Sequence, residues 1–79
     1  MKEVREQEYQ GCTIQVTVDG FATQWNWTGK ITFPEGQIDH YIAPYPPPPL
    51  SNTKDAAFNV GFKCGEGRID SWLSNQRQP

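Results

Sequence analysis

Residues 12–27 read CTIQVTVDGFATQWNW, and the fold turns on how this stretch is paired. Cys12, Ile14, Val16 and Val18 alternate with Thr13, Gln15 and Thr17, the period of a strand with one oily and one polar face. Asp19-Gly20 follows, a dipeptide suited to a two-residue hairpin turn because both residues tolerate positive φ. That turn predicts Val18 opposite Phe21, Val16 opposite Thr23, Ile14 opposite Trp25 and Cys12 opposite Trp27. The other face then carries Thr13, Gln15, Thr17, Gln24 and Asn26. A slip by one residue would turn the aromatics into water.

Working outward, Ile31 and Phe33 keep the apolar parity of Trp25 and Trp27, with Lys30 on the polar side. Pro34-Glu35-Gly36 is a turn. Residues 37–43 predict a third strand with Ile38, His40 and Ile42 on one side, Ile38 lying opposite Phe33. Residues 1–7, MKEVREQ, have no clear period and are expected to be a frayed tail. Pro46, Pro47, Pro48 and Pro49 cannot enter a sheet ladder or a helix interior. Residues 44–50 are therefore expected to form an extended connector that advances about 3 Å per residue.

Ser51, Asn52 and Thr53 are candidate helix caps, and Asp55 suits the positive first turn. Residues 53–75 predict one helix. Ala57, Val60, Gly61, Cys64, Arg68 and Trp72 fall on one stripe; Phe58, Phe62, Ile69 and Leu73 fall on its neighbour. Gly61, Gly65 and Gly67 each weaken a helix by about 1 kcal/mol relative to Ala. They either let the helix approach the sheet closely or break it near Gly65. The expected architecture is α+β, a single domain over 1–79. A three-stranded antiparallel meander of order 1-2-3 spans 8–43, and one C-terminal helix packs on one face.

The run Tyr9-x-Gly11-x-x-Ile14-x-Val16, then Gly20, Trp25-x-Trp27, Ile31, Ala56-Ala57-x-x-x-Gly61 and Ile69-Asp70 resembles short uncharacterised bacterial proteins of β-β-β-α type. The resemblance covers most of the chain and implies the fold. It brings no chemistry with it. The polyproline run and the Gly65/Gly67 pair depart from that pattern.

Composition narrows function. Seven basic and nine acidic residues give a net charge of −2, with both signs interleaved. A dedicated nucleic-acid binder shows a basic patch instead. The chain begins with Met and charged residues, and has no apolar run of membrane-spanning length, so a cytoplasmic location without membrane contact is expected. Cys12 and Cys64 are expected as free thiols that pack as small apolar groups. His40 is the single histidine. Asp39, its neighbour on a strand, points to the opposite face, so the pair makes no catalytic set. One His and two distant Cys have no metal-ligand spacing. Neither a catalytic residue, a metal site nor a cofactor is expected.

What remains is binding to another protein, as an adaptor or an inhibitor. One version is a phage or mobile-element inhibitor of a host defence complex. Three surfaces are candidates: the polar face with Thr13, Gln15, Thr17, Gln24, Asn26 and Lys30; the proline segment with Tyr45, Pro46 and Pro47; and an edge strand able to pair with another chain, a second copy included. The alternative class is a nucleic-acid-associated module of double-stranded-RNA-binding-like or antitoxin-like type. It requires Lys54, Lys63 and Arg68 to line one helix face.

Overall fold

A computed structural model describes residues 2–42 and 52–76. Its sheet has four strands, not three. They are β1 (Lys2–Tyr9), β2 (Cys12–Phe21), β3 (Gln24–Thr32) and β4 (Ile38–Ile42), antiparallel in the order β1-β2-β3-β4. One helix, α1 (Lys54–Gln76), covers one face of the sheet. The α+β class and the single C-terminal helix are as expected.

The added strand is the stretch read as a frayed tail. Gln10 (φ 52°) and Gly11 (φ 81°) form a two-residue turn that sets Tyr9 opposite Cys12 and Glu3 opposite Val18. The residues of β1 that face the helix are Glu3, Arg5, Gln7 and Tyr9. They are polar because they meet the flank of the helix, which is itself polar, so no apolar alternation marks the strand.

The second hairpin turns at Ala22-Thr23, three residues beyond Asp19-Gly20. Phe21 pairs with Gln24, Val18 with Trp27, Val16 with Gly29 and Ile14 with Ile31. Partners move by an even number of residues relative to the expected register, so Cys12, Ile14, Val16, Val18, Trp27 and Ile31 keep their inward face, while Phe21, now the end of β2, changes to the other. The ladder becomes longer and brings Ile31 into the core centre. An Asp19-Gly20 turn would end the pairing at Trp27. A positive φ at Ala22 (56°) strains a non-glycine residue by about 1–2 kcal/mol, which the longer ladder offsets. Gly20 sits in the strand, where a Cβ would strike the backbone of Gln24 and Trp25.

The third hairpin differs by one residue, and that difference reverses β4. Phe33 N–H donates to Gln37 O at 2.8 Å and Gly36 N–H to Phe33 O at 2.9 Å, so the loop holds Pro34, Glu35 and Gly36. Ile38 pairs with Thr32, not with Phe33. Tyr41 is therefore the inward residue (5% exposed), while Ile38 is 53% exposed and His40 faces water.

Tyr41 organises the middle of the molecule. Its ring lies where a Cβ on Gly29 would sit, and its hydroxyl donates to the Gly61 carbonyl at 2.8 Å. A Cβ on Gly65 would approach the Tyr41 hydroxyl to 2.5 Å and Ile14 Cγ2 to 2.9 Å; one on Gly61 would approach Val16 Cγ1 to 2.7 Å. Ala57, Gly61, Gly65 and Ile69, four apart, thus make the buried stripe of an unbroken helix. The expected stripe through Val60 and Arg68 is displaced: Val60 is 40% exposed and Arg68 reaches the β4 edge. Thr53 caps the helix, its Oγ1 accepting from Ala56 N–H at 3.1 Å.

Candidate functional site

With α1 on one face, the other face of the sheet is uncovered among the described residues. Register sorts its side chains into rows that cross the strands: Lys2, Asp19 and Asn26; Val4, Thr17 and Thr28; Glu6, Gln15, Lys30 and His40; Glu8, Thr13, Thr32 and Ile38. Gln15 Nε2 donates to Glu6 Oε1 at 3.3 Å within the third row. Acids gather toward β1, while Lys30 and His40 lie toward β4. A shallow hollow of about 460 Å³ opens among Gln15, Thr17, Thr28, Lys30 and His40.

Five of the sequence-derived residues (Thr13, Gln15, Thr17, Asn26 and Lys30) share this face. Gln24 stands at its end, on the hairpin tip opposite Phe21. Tyr45, Pro46 and Pro47 lie outside the described residues, as does the rest of the connector.

Sequence reasoning missed the apolar part of this face. Val4 (49% exposed), Ile38 (53%) and Phe21 (73%) all belong to it. They lie at the β1 edge, the β4 edge and the hairpin tip, around a polar centre. Phe21 was expected in the core opposite Val18. The later turn puts it on the same side as Thr17 and Asp19. Ile38 is outward because of the three-residue loop. No local signal marks either change, since both follow from turn position.

The helix-covered side offers other chemistry, most of it already engaged. Lys54 Nζ donates to Glu3 Oε1 at 2.9 Å, Gln7 to Glu66 at 2.8 Å and the Tyr9 hydroxyl to Asp70 at 2.8 Å. Arg5 bonds Glu3 and Asp55, with its guanidinium 4.1 Å from the Phe58 ring centroid. Lys54 holds the Glu3 carboxyl below its usual range, against the opposing push of desolvation. The hydrogen bond to Asp70 raises the Tyr9 hydroxyl. At the other edge Arg68 Nε and Nη2 donate to Asp39 Oδ2 at 3.0 and 2.7 Å. Lys54 and Arg68 therefore serve opposite sheet edges and do not form the shared basic helix face that the nucleic-acid reading requires.

A cleft of about 480 Å³ lies beside that second pair, between Phe33, Ile38, Arg68 and Trp72. Phe33 and Trp72 rings stand 4.7 Å apart and form its wall. No spacing in the sequence predicts this meeting, because Phe33, just past β3, and Trp72, near the end of α1, come together only through the tertiary fold.

Asp39 faces Arg68 across the helix side, and His40 faces the open side, so the two do not meet. Cys12 is buried, and burial pushes its thiol pKa up; Cys64 is half-buried against the core. Both are free thiols. Among the described residues no group of His, Cys, Asp and Glu is arranged to hold a metal. Among the same residues no helix is long and apolar enough to cross a membrane. Comparison with family models, curated proteins and solved structures found no match.

Proposed function

We propose that this chain is a non-catalytic protein-binding protein, an adaptor or an inhibitor, that meets its partner through the uncovered sheet face. The observation that carries this reading is the placement of Val4, Ile38 and Phe21 around a polar, hydrogen-bonding centre on one surface. Exposed apolar groups beside amides and hydroxyls suit a protein surface, which offers both kinds of contact. Stacking of nucleic-acid bases would instead call for aromatics in the middle of the face, where Gln15 and Lys30 stand.

The test is quantitative capture from native lysate by the immobilised protein, read by mass spectrometry. Phe21→Ser and Ile38→Ser change the proposed face, and Val60→Ser changes an exposed apolar residue on the helix as a control. A stoichiometric protein retained by the parent and by Val60→Ser, but lost with Phe21→Ser and Ile38→Ser, is the expected result. Capture that survives both sheet-face variants, or no stoichiometric protein at all, overturns the reading.

A further inference from the structure

Among the described residues β1 is one edge of the sheet, so half of its backbone groups have no neighbouring strand there. The two-residue turn makes Tyr9 and Cys12 the hydrogen-bonded pair that closes the hairpin, and such pairs recur at every second residue. Gln7, Arg5 and Glu3 therefore direct their N–H and C=O groups toward β2. Lys2, Val4 and Glu6 direct theirs outward. The same three residues place their side chains on the uncovered face, and Val4 is half exposed there.

We propose that β1 pairs antiparallel with β1 of a second copy of this chain, about a two-fold axis that sets Val4 opposite Val4. The two four-stranded sheets then become one continuous sheet with both helices on the same side. Charge complementarity selects this register. In this register Lys2 faces Glu6 and Glu3 faces Arg5, each twice by symmetry, and Val4 meets itself at the axis. Every charged residue from Lys2 to Glu6 stands opposite the other sign.

Neighbouring registers fail. A two-residue slip one way puts Glu3 against Glu3, and the other way Arg5 against Arg5. A one-residue slip puts Lys2 against Arg5 or Glu3 against Glu6. Like charges directly opposite are destabilising, so the charges that guard this edge against indiscriminate pairing also select one partner register. Exposed ion pairs add little affinity individually. Their part is to choose the register, while the backbone bonds and the Val4 pair hold the strands together.

Sedimentation equilibrium of the full chain over a wide concentration range tests this. The expected result is a reversible doubling of the 9.0 kDa mass, weakened by salt. Val4→Lys places like charges at the axis and is expected to give a monomer. Lys2→Glu and Glu6→Lys are each expected to weaken the dimer at least tenfold, and the double variant to restore it. All three side chains are on the uncovered face, and far-UV circular dichroism verifies that each variant stays folded. A parent that is monomeric at every concentration overturns the proposal. So does a dimer indifferent to Val4→Lys, or a double variant no better than the single ones. Phe21→Ser leaves β1 untouched, so the outcome here is separate from that of partner capture.

Discussion

The helix meets the middle of the sheet and the β1 edge by different physics. In the middle, Ala57, Gly61, Gly65 and Ile69 lie against Ile14, Val16, Trp27 and Tyr41, and the contact is apolar and close. Along β1 the contact is a polar seam in which Glu3 meets Lys54, Arg5 meets Asp55, Gln7 meets Glu66 and Tyr9 meets Asp70. The two elements keep step because a strand advances about 20 Å from Glu3 to Tyr9, and a helix advances about 24 Å from Lys54 to Asp70. The difference teaches that burial holds the middle together, while the polar seam orients the helix along β1.

The largest effect should come from emptying the middle. Ile14 is 0% exposed, and Ile14→Ala is expected to cost about 2–5 kcal/mol, a large share of what so small a domain has. Urea unfolding followed by tryptophan fluorescence measures it. A loss below 1 kcal/mol would break the comparison.

Two glycines on one helix sharpen it. Gly65→Ala drives a methyl into Tyr41 and Ile14 and is expected to destabilise by about 1–3 kcal/mol, the range for overpacking. Gly67 has nothing within 4 Å of an added Cβ, so Gly67→Ala is expected to stabilise by up to about 1 kcal/mol through helix propensity alone. The same substitution two residues apart should change sign in the same thermal or urea titration.

Tyr41 supplies a pH test. Burial pushes its hydroxyl from 10.0 up to about 12, because the neutral form is favoured inside. A raised folded pKa means that stabilisation is fully present below about pH 10 and is lost as pH rises toward about 12. Tyr41→Phe is expected to cost about 1 kcal/mol near neutral pH by removing the bond to Gly61. It should also flatten the alkaline limb of a stability–pH profile, leaving the contributions of Tyr9 and Cys12, whose values are also raised.

The smallest effect belongs to the seam. Glu3 is held below its usual value of 4.5, so what it contributes is present above that pH and disappears as pH falls through the depressed value. Glu3→Gln is expected to shift the thermal midpoint least of these variants, and not at all in high salt. A shift as large as that of Gly65→Ala would show the seam to be structural after all.

Particular residues show what could be read in advance. Ile14, Val16 and Val18 on one face with Thr13, Gln15 and Thr17 on the other follow from the two-residue period of a strand, and so do Trp27 and Ile31. Helix start and cap follow from Thr53 and Asp55. The turn at Gln10-Gly11 carried a local signal, a glycine in a dipeptide between two strand-like residues, which the polar character of β1 obscured. Phe21, Ile38 and Tyr41 carried none. Each owes its side of the sheet to where a turn falls or how many residues its loop holds.

By itself the sequence determined that Cys12, Ile14, Val16, Val18, Trp27 and Ile31 face inward, that one helix follows, and that one sheet face is rich in Thr, Gln and Asn. Those properties are periodic, and a shift by an even number of residues leaves them unchanged. Only the tertiary structure decided the register of β2 on β3, the reversal of β4, and the recruitment of the polar β1 as an edge strand. The reason is that each depends on a distant surface: room for Tyr41 between Gly29, Gly61 and Gly65, a longer ladder for Ile31, and a polar helix flank for Glu3, Arg5, Gln7 and Tyr9.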